Sequence, residues 1–106
     1  MSVQIIGGSG FLGTFLSQEL EKNKIDFNIL DSQPRGPFIE KSLSCDVTDI
    51  ESLRKNFSSN FLINLAAVHR DDIEPKSLYD EINVDGAKNI CKVATEKSIN
   101  KIIFVS

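Results

Sequence analysis

Short apolar runs alternate along the whole chain with longer segments in which apolar residues recur every three or four positions. The runs predict five buried strands, over residues 3–6, 27–30, 42–45, 61–65 and 101–105. The periodic segments predict helices over residues 11–23, 48–57 and 77–97. Strands that alternate with helices form parallel sheets with right-handed crossovers. The pattern therefore predicts an α/β fold with a parallel sheet of strand order 3-2-1-4-5, in one domain over residues 1–106.

The apolar positions of each predicted helix indicate its buried face. In the first helix these positions are Phe11, Leu12, Phe15, Leu16 and Leu20. In the second they are Ile50, Leu53 and Phe57, after Thr48 or Asp49 as the N-cap. In the third, with Ser77 as the N-cap, they are Ile82, Ala87, Ile90, Cys91 and Ala94. Each helix is thus expected to cover the sheet with one side.

Composition and charge exclude several classes of partner. The chain is 41% hydrophobic and 25% charged, as in ordinary globular proteins, and its net charge is −3. It has no basic run, which argues against nucleic acids and anionic membranes as partners. Neither a membrane-spanning run nor a signal peptide is visible, and Cys45 and Cys91 show no metal-ligand spacing. We expect a cytoplasmic protein whose cysteines are reduced core thiols.

The stretch GGSGFLG, residues 7–13, lies between the first predicted strand and the first predicted helix. Its glycines fit two spacings: Gly8, Gly10 and Gly13 form G-x-G-x-x-G, whereas Gly7, Gly10 and Gly13 form G-x-x-G-x-x-G. A phosphate can approach a backbone only where no Cβ intervenes, and a helix N-terminus offers free N–H groups and the positive end of the helix dipole. This context favours a dinucleotide-binding, doubly wound sheet of Rossmann type over a glycine-rich turn that only packs helix on strand.

Asp31 ends the second predicted strand, eighteen positions after Gly13. An acidic side chain at this place in such a fold accepts hydrogen bonds from the ribose hydroxyls of the cofactor and repels a 2′-phosphate. Arg35, four positions later in a loop, is the competing feature, because an arginine can accept a 2′-phosphate. The sequence favours NAD over NADP as the cofactor. The alternative for Asp31 is a turn residue after a strand.

Four segments in order along the chain make it resemble the extended short-chain dehydrogenases/reductases, specifically the NAD-dependent nucleotide-sugar epimerases and dehydratases. IIGGSGFLG resembles the opening of that family, which uses the G-x-x-G-x-x-G spacing. CDVTD (45–49) resembles its adenine-contacting segment, and NLAAV (64–68) its Asn/His-x-Ala-Ala segment on the fourth strand. NVDGAKNI (83–90) resembles its Asn-Val-x-Gly-Thr-x-Asn helix, with Ala87 in place of the threonine.

The resemblance implies a cofactor-binding role for each matching position. Gly7, Gly10 and Gly13 would form the phosphate loop, and Phe11 and Leu12 would offer backbone N–H groups to the pyrophosphate. Asp46 and Val47 would flank the adenine, with Asp46 accepting from its amino group. Leu65, Ala66 and Ala67 would line the cofactor channel. Asn83 would brace the backbone near the active site. His69 would lie near the cofactor phosphates, or else be a solvated loop residue.

The resemblance also implies a catalytic Tyr-x-x-x-Lys pair, in which the tyrosine takes a hydroxyl proton while hydride passes to the nicotinamide. The single tyrosine, Tyr79, is followed four positions later by Asn83 and lies on the third helix. We therefore expect no catalytic residue in this chain, with the pair beyond Ser106 and the fold truncated after its fifth strand. The 106 residues alone should be inactive.

The leading hypothesis is an NAD-dependent nucleotide-sugar epimerase or dehydratase, of which this chain is the cofactor-binding part. A homodimer is implied, because in the resembling family the long third helix contributes to a dimer contact. Two alternatives stay open: an NADP-dependent carbonyl reductase of the same family, and a non-catalytic NAD(P)-binding module that senses redox state. No metal site is expected.

Overall fold

The computed structural model describes the backbone of residues 2–66 and 76–105 and the side chains of residues 2–66 and 84–105. The strands are β1 (Ser2–Ile6), β2 (Asp26–Asp31), β3 (Ser42–Ser44), β4 (Phe61–Asn64) and β5 (Lys101–Phe104). The helices are α1 (Phe11–Lys22), α2 (Ile50–Asn56) and α3 (Lys76–Glu96), with a 3₁₀ turn at Ile39–Lys41. Every predicted strand and helix is present, and no end differs from its predicted position by more than two residues.

The five strands form one parallel sheet in the order β3-β2-β1-β4-β5, as predicted. β1 is central, and its Ile5 pairs with Ile29 of β2 on one side and Ile63 of β4 on the other. From Val3 to Ile6 every β1 residue is buried, which is the pattern of a strand covered on both faces.

The two faces of the sheet carry separate hydrophobic clusters, since successive strand residues point to opposite sides. On one face, Val3 and Ile5 pack with Leu20 of α1. On the other, Ile6 packs with Leu53 of α2 and Val93 of α3. The helices therefore cover both faces, and the loops that follow the strands converge at the carboxyl edge of the sheet. Among the helices of the described residues, none is long and apolar enough to cross a membrane.

The predicted buried face of α1 is wrong in part. Gly13, Ser17 and Leu20 are the buried residues, whereas Phe11, Leu12 and Phe15 are exposed. The cause is a close approach at Gly13, where a Cβ would lie 2.3 Å from the Gly8 carbonyl oxygen. Small side chains let the helix lie directly on the loop that precedes it, and this contact determines which face of α1 meets the sheet.

Two predictions for α3 are also wrong. Its first residue is Lys76, so Ser77 lies inside the helix and is not its N-cap. Cys91 is exposed, and Val93 is fully buried beside Ile90 and Ala94. The buried positions Gly86, Ile90, Val93 and Ala94 follow the three- and four-residue spacing of one helix face, and Cys91 lies outside that face. Ala87 is half-buried, and the side chains of Tyr79 and Ile82 lie outside the described residues.

The prediction for α2 holds, with Asp49 as its N-cap: the carboxylate accepts a hydrogen bond from the Glu51 N–H at 3.1 Å. The predicted side is the buried one, with Leu53 and Phe57 in the core and Ile50 packed against it. Cys45 is buried, as expected, and burial raises the pKa of its thiol.

Polar side chains fix the elements at the amino edge of the sheet. Gln4, fully buried in β1, donates to the Asn56 carbonyl at 2.9 Å and accepts from the N–H groups of Ser58 and Ser59 at 2.8 and 3.1 Å. Between α2 and α3, Arg54 donates to both carboxylate oxygens of Glu96 at 3.0 and 2.9 Å.

Candidate functional site

Gly7 and Gly8 let the loop after β1 pass between its neighbours. Gly7 has φ +77°, and a Cβ there would lie 2.8 Å from both the backbone nitrogen and the Cα of Ala66. A Cβ on Gly8 would lie 2.8 Å from Ile29 Cγ2. The Gly7 N–H donates to the Leu30 carbonyl at 2.6 Å, which extends the pairing of β1 with β2 into the loop. Both glycines are required by contacts within the protein.

Gly13 is required in the same way by its contact with Gly8, but Gly10 is not. Among the residues that the structure describes, a Cβ on Gly10 would have a single heavy atom within 4 Å, Arg35 Nη2 at 3.9 Å. The φ of Gly10 is −78°, which any residue adopts. Packing therefore explains Gly7, Gly8 and Gly13. These are the glycines other than Gly10 in the two predicted spacings. Gly10 is half-buried, and packing among the described residues gives no reason for a glycine there, so its backbone is left open to a close approach.

Gly10 is also the N-cap of α1, so the N–H groups of Phe11 and Leu12 have no partner within the helix. The first turn, Phe11 to Thr14, contains no acidic side chain to balance the positive end of the helix dipole. Phe11 is 91% exposed, which leaves this end of the helix accessible. The arrangement suits an anion that approaches over Gly10.

Asp31 lies beside this loop, at the end of β2, and is only 8% exposed. Its Oδ2 accepts from the Ser9 N–H at 3.0 Å, and its Oδ1 accepts from the Gln33 N–H at 2.8 Å. An ionised carboxylate has about four acceptor positions, so two backbone bonds leave capacity for further donors. The carboxylate thus anchors the glycine loop and can still bind hydroxyl groups beside it.

Arg35 joins the same group of residues. Its Nη1 lies 3.5 Å from Asp31 Oδ1 and donates to the Gln33 carbonyl at 2.9 Å. Its backbone N–H donates to Ser9 Oγ at 3.2 Å. Sequence reasoning placed Arg35 in a loop after Asp31, but the structure brings the guanidinium next to both Asp31 and Gly10. The two groups that would distinguish NAD from NADP are therefore neighbours.

Asp46 and Val47 follow β3 at the same edge. Asp46 is exposed, and its Oδ1 accepts from the backbone N–H and the hydroxyl of Thr48 at 2.9 and 2.7 Å. Val47 is half-buried against the core, and its carbonyl accepts from Asn89 Nδ2 of α3 at 3.0 Å. The turn is therefore fixed both by its own side chains and by α3.

Leu65 and Ala66 follow β4 and lie on the other side of the glycine loop. The Leu65 N–H donates to the Ile6 carbonyl at 2.8 Å, and the Ala66 N–H donates to Asn64 Oδ1 at 3.0 Å. The structure thus brings together Gly7, Gly10, Phe11, Leu12, Gly13, Asp31, Asp46, Val47, Leu65 and Ala66 at one edge of the sheet. Ala67, His69 and the side chain of Asn83 lie outside the described residues.

Sequence reasoning missed Ser9 and Asn89 as parts of this edge. Ser9 stood inside the glycine motif, but nothing in the spacing indicated that its N–H would donate to Asp31. Asn89 stood inside the NVDGAKNI segment, and its contact with Val47 joins residues 42 positions apart. The contact forms because α3, which leads from β4 to β5, passes beside the turn that follows β3.

A five-stranded parallel sheet covered on both faces, with a glycine loop leading into a helix at its carboxyl edge, is the architecture of the Rossmann-type fold. Residues 3–106 match the model of the NAD dependent epimerase/dehydratase family, and the chain belongs to that family. The predicted fold and family are confirmed. The prediction of NAD is confirmed at the level of the family, whose description names it.

Relatives span two kinds of enzyme. The chain is 39% identical over 108 residues to N-acetyl-alpha-D-glucosaminyl-diphospho-ditrans,octacis-undecaprenol 4-epimerase of Escherichia coli O157:H7, covering 99% of the chain and 32% of that relative. It is 30% identical to UDP-glucose 4-epimerase of Vibrio cholerae, with 99% and 34% covered. It is 24% identical to the decarboxylating sterol-4-alpha-carboxylate 3-dehydrogenase of Candida albicans, with 99% and 34% covered.

Solved structures share the fold. The UDP-glucose 4-epimerase of Thermus thermophilus in complex with NAD has a TM-score of 0.86 at 22% identity, and the match covers 100% of this chain and 37% of that one. The UDP-glucose 4-epimerase of Bifidobacterium longum, in complex with NAD+ and UDP, has a TM-score of 0.85 at 22% identity, with the same coverage. The chain thus spans about a third of the length of the relatives that it matches.

Proposed function

We propose that this chain binds NAD across the carboxyl edge of its sheet, as the cofactor-binding part of a nucleotide-sugar epimerase or dehydratase. The observation that carries the proposal is Gly10. Packing accounts for the other three glycines of the loop, whereas Gly10 leaves bare backbone between the N-terminus of α1 and the carboxylate of Asp31. A pyrophosphate is bound by open backbone at a helix N-terminus, and the neighbouring ribose is bound by a carboxylate that accepts from its hydroxyls.

The remaining residues divide the cofactor between them. The N–H groups of Phe11 and Leu12 would bind the pyrophosphate, and Asp31 would accept from the hydroxyls of the adenosine ribose. Asp46 and Val47 would hold the adenine. The channel beyond would be lined by Leu65, Ala66 and Ala67, with Asn83 bracing the backbone near the reacting end. When bound, the nicotinamide would supply the hydride acceptor for a secondary alcohol.

NAD is preferred over NADP in this proposal because Asp31 would face a 2′-phosphate with a like charge. Arg35 opposes that preference, since its guanidinium lies 3.5 Å from the same carboxylate. We expect Asp31→Ala to narrow the difference between the two dissociation constants and Arg35→Gln to widen it. Calorimetric titration of each variant with NAD and NADP measures both effects. Tighter binding of NADP than of NAD by the unaltered protein would contradict the preference for NAD.

The proposed reaction begins with oxidation of a ring alcohol and ends with reduction from the opposite face, so that NAD is regenerated. A 4-epimerase of a diphosphate-linked sugar is favoured, because the relative at 39% identity has such a substrate in its name. The second candidate is a dehydrogenase that releases NADH, supported by the sterol-4-alpha-carboxylate 3-dehydrogenase relatives. In either case we propose that the tyrosine–lysine pair lies outside these 106 residues.

Incubation of the natural protein with NAD and a panel of UDP-, GDP- and dTDP-sugars tests the reaction. An epimerase gives a sugar inverted at one carbon, detected by NMR, without accumulation of NADH. A dehydrogenase instead accumulates NADH with its own substrate. Binding of NAD with no turnover of any substrate would favour the non-catalytic, redox-sensing alternative.

We further propose a cytoplasmic homodimer in which α3 contributes to the contact. Val84 and Cys91 are exposed on this helix, which gives its outer side some apolar character. Light scattering of the natural protein measures the assembly. A monomer at micromolar concentration would contradict this proposal while leaving the cofactor site unaffected.

A further inference from the structure

We infer that Asn89 and Gly86 of α3 position the turn at residues 46–48, where the adenine is proposed to bind. Through this turn, the helix would control how well Asp46 distinguishes adenine from other bases. The inference rests on the proposed NAD site and adds two positioning residues to it. Neither residue is expected to touch the cofactor. Both would act through Val47.

The first observation is a hydrogen bond that fixes one peptide plane. Asn89 Nδ2 donates to the Val47 carbonyl oxygen at 3.0 Å. The N–H of the same peptide group belongs to Thr48, and it donates to Asp46 Oδ1 at 2.9 Å. Because a peptide group is planar and rigid, holding its oxygen also orients its N–H. Hydrogen bonds at both ends polarise the group and strengthen each other. Asn89 therefore acts on the Asp46 carboxylate through a single rigid unit.

The second observation is a close approach that only glycine permits. Gly86 is buried, and a Cβ there would lie 2.8 Å from Val47 Cγ2. One turn of α3 separates Gly86 from Asn89, so both face the turn at residues 46–48. Any side chain at position 86 would therefore have to displace the Val47 side chain from its place against α3. The two residues thus position the same backbone segment by independent contacts.

The consequence concerns the second oxygen of Asp46. Its Oδ1 is occupied by the N–H and hydroxyl of Thr48, while Oδ2 has no hydrogen-bond partner among the residues that the structure describes. Adenine carries an amino group that can donate to such an oxygen. Hypoxanthine carries a carbonyl at the same position, which a carboxylate repels. If Asn89 keeps the carboxylate oriented, its removal must weaken this discrimination.

The test compares NAD with nicotinamide hypoxanthine dinucleotide by calorimetric titration of the natural protein. We expect the wild type to bind NAD roughly tenfold or more tightly than the hypoxanthine analogue, as one hydrogen bond to a charged group allows. In Asn89→Ala this ratio should fall to about threefold or less, mainly through weaker NAD binding. Asp46→Ala gives the ratio expected when discrimination is fully lost.

Asn23→Ala is the matched control. Asn23 also donates its side-chain amide to a backbone carbonyl, that of Glu19 at 2.7 Å, but at the end of α1. Its replacement should leave the ratio unchanged. If Asn89→Ala does not fold, Gly86→Ala provides the same readout, because it leaves the asparagine intact and displaces Val47.

The outcomes separate this inference from the proposed function. A folded Asn89→Ala or Gly86→Ala variant with the wild-type ratio would overturn the inference and leave NAD binding intact. A wild type that binds both dinucleotides equally would also overturn it, because Asp46 would then not read the amino group. A wild type that binds neither would refute the NAD site itself.

Discussion

Gly10 and Gly13 are three residues apart, yet the structure predicts opposite consequences when each is replaced by alanine. A Cβ on Gly13 would lie 2.3 Å from the Gly8 oxygen and 2.4 Å from Gly8 Cα. Both are backbone atoms, so α1 must move off the loop. Overpacking costs about 1–3 kcal/mol when side chains can adjust, and a backbone clash places Gly13→Ala at about 3 kcal/mol or more. In a folding unit of about 100 residues, that lowers Tm by about 12 °C or more.

Gly10→Ala has a different effect on the free protein. The backbone angles at Gly10, φ −78° and ψ −174°, suit alanine, and the nearest described atom would be 3.9 Å away. Alanine is a poorer N-cap than glycine but restricts the unfolded chain, and these opposing effects keep the change in unfolding free energy within about 1 kcal/mol. The added methyl group would instead occupy the space proposed for the pyrophosphate.

Thermal unfolding with and without saturating NAD separates the two effects. At a concentration of about 100 times its Kd, NAD stabilises the folded wild type by about 2.7 kcal/mol. Gly13→Ala should melt early but still gain stability from NAD, whereas Gly10→Ala should melt close to the wild type and gain none. A Gly13→Ala variant with wild-type Tm would refute the packing argument, and a Gly10→Ala variant fully stabilised by NAD would refute the phosphate site.

Three further predictions concern buried Gln4 and the two cysteines. Gln4→Leu removes the acceptor of the Ser58 and Ser59 N–H groups, so urea unfolding should show a loss of about 2–4 kcal/mol; an unchanged midpoint would contradict this. Burial raises the pKa of Cys45 above 9.0, so its stabilising contribution is complete below pH 9.0 and is lost as pH rises through the folded-state pKa. Cys45→Ala should therefore flatten the alkaline decline in stability, and exposed Cys91 should react with a thiol reagent before Cys45 does.

The order and type of the elements could be predicted because each strand is an apolar run and each helix has a periodic pattern. The orientation of α1 could not, because hydrophobicity ranks Phe11 and Phe15 above Gly13 and Ser17. In the structure the small residues face inward, since they allow the helix to approach Gly8. A pattern of apolar positions contains no information about how closely two backbones can approach.

Candidate site residues could be predicted where a characteristic residue type lies at the end of a predicted strand or in the turn after it. Gly10 and Asp31 are such positions. What the sequence could not predict were contacts between distant segments. The Arg35 side chain turns back to Asp31, and Asn89 reaches Val47 across 42 positions. Both contacts depend on side-chain directions that follow from the assembled sheet and not from local spacing.

The double role of Asp31 has an evolutionary consequence. The carboxylate that would exclude a 2′-phosphate also holds the glycine loop through the Ser9 N–H. A lineage that changes its cofactor by losing this acid first passes through a protein with a loosened loop. Replacements at Ser9 or Arg35 that secured the loop beforehand would spare the protein this intermediate. Mutations toward NADP should show strong epistasis, with their order determined by the anchor and not by affinity for the new phosphate.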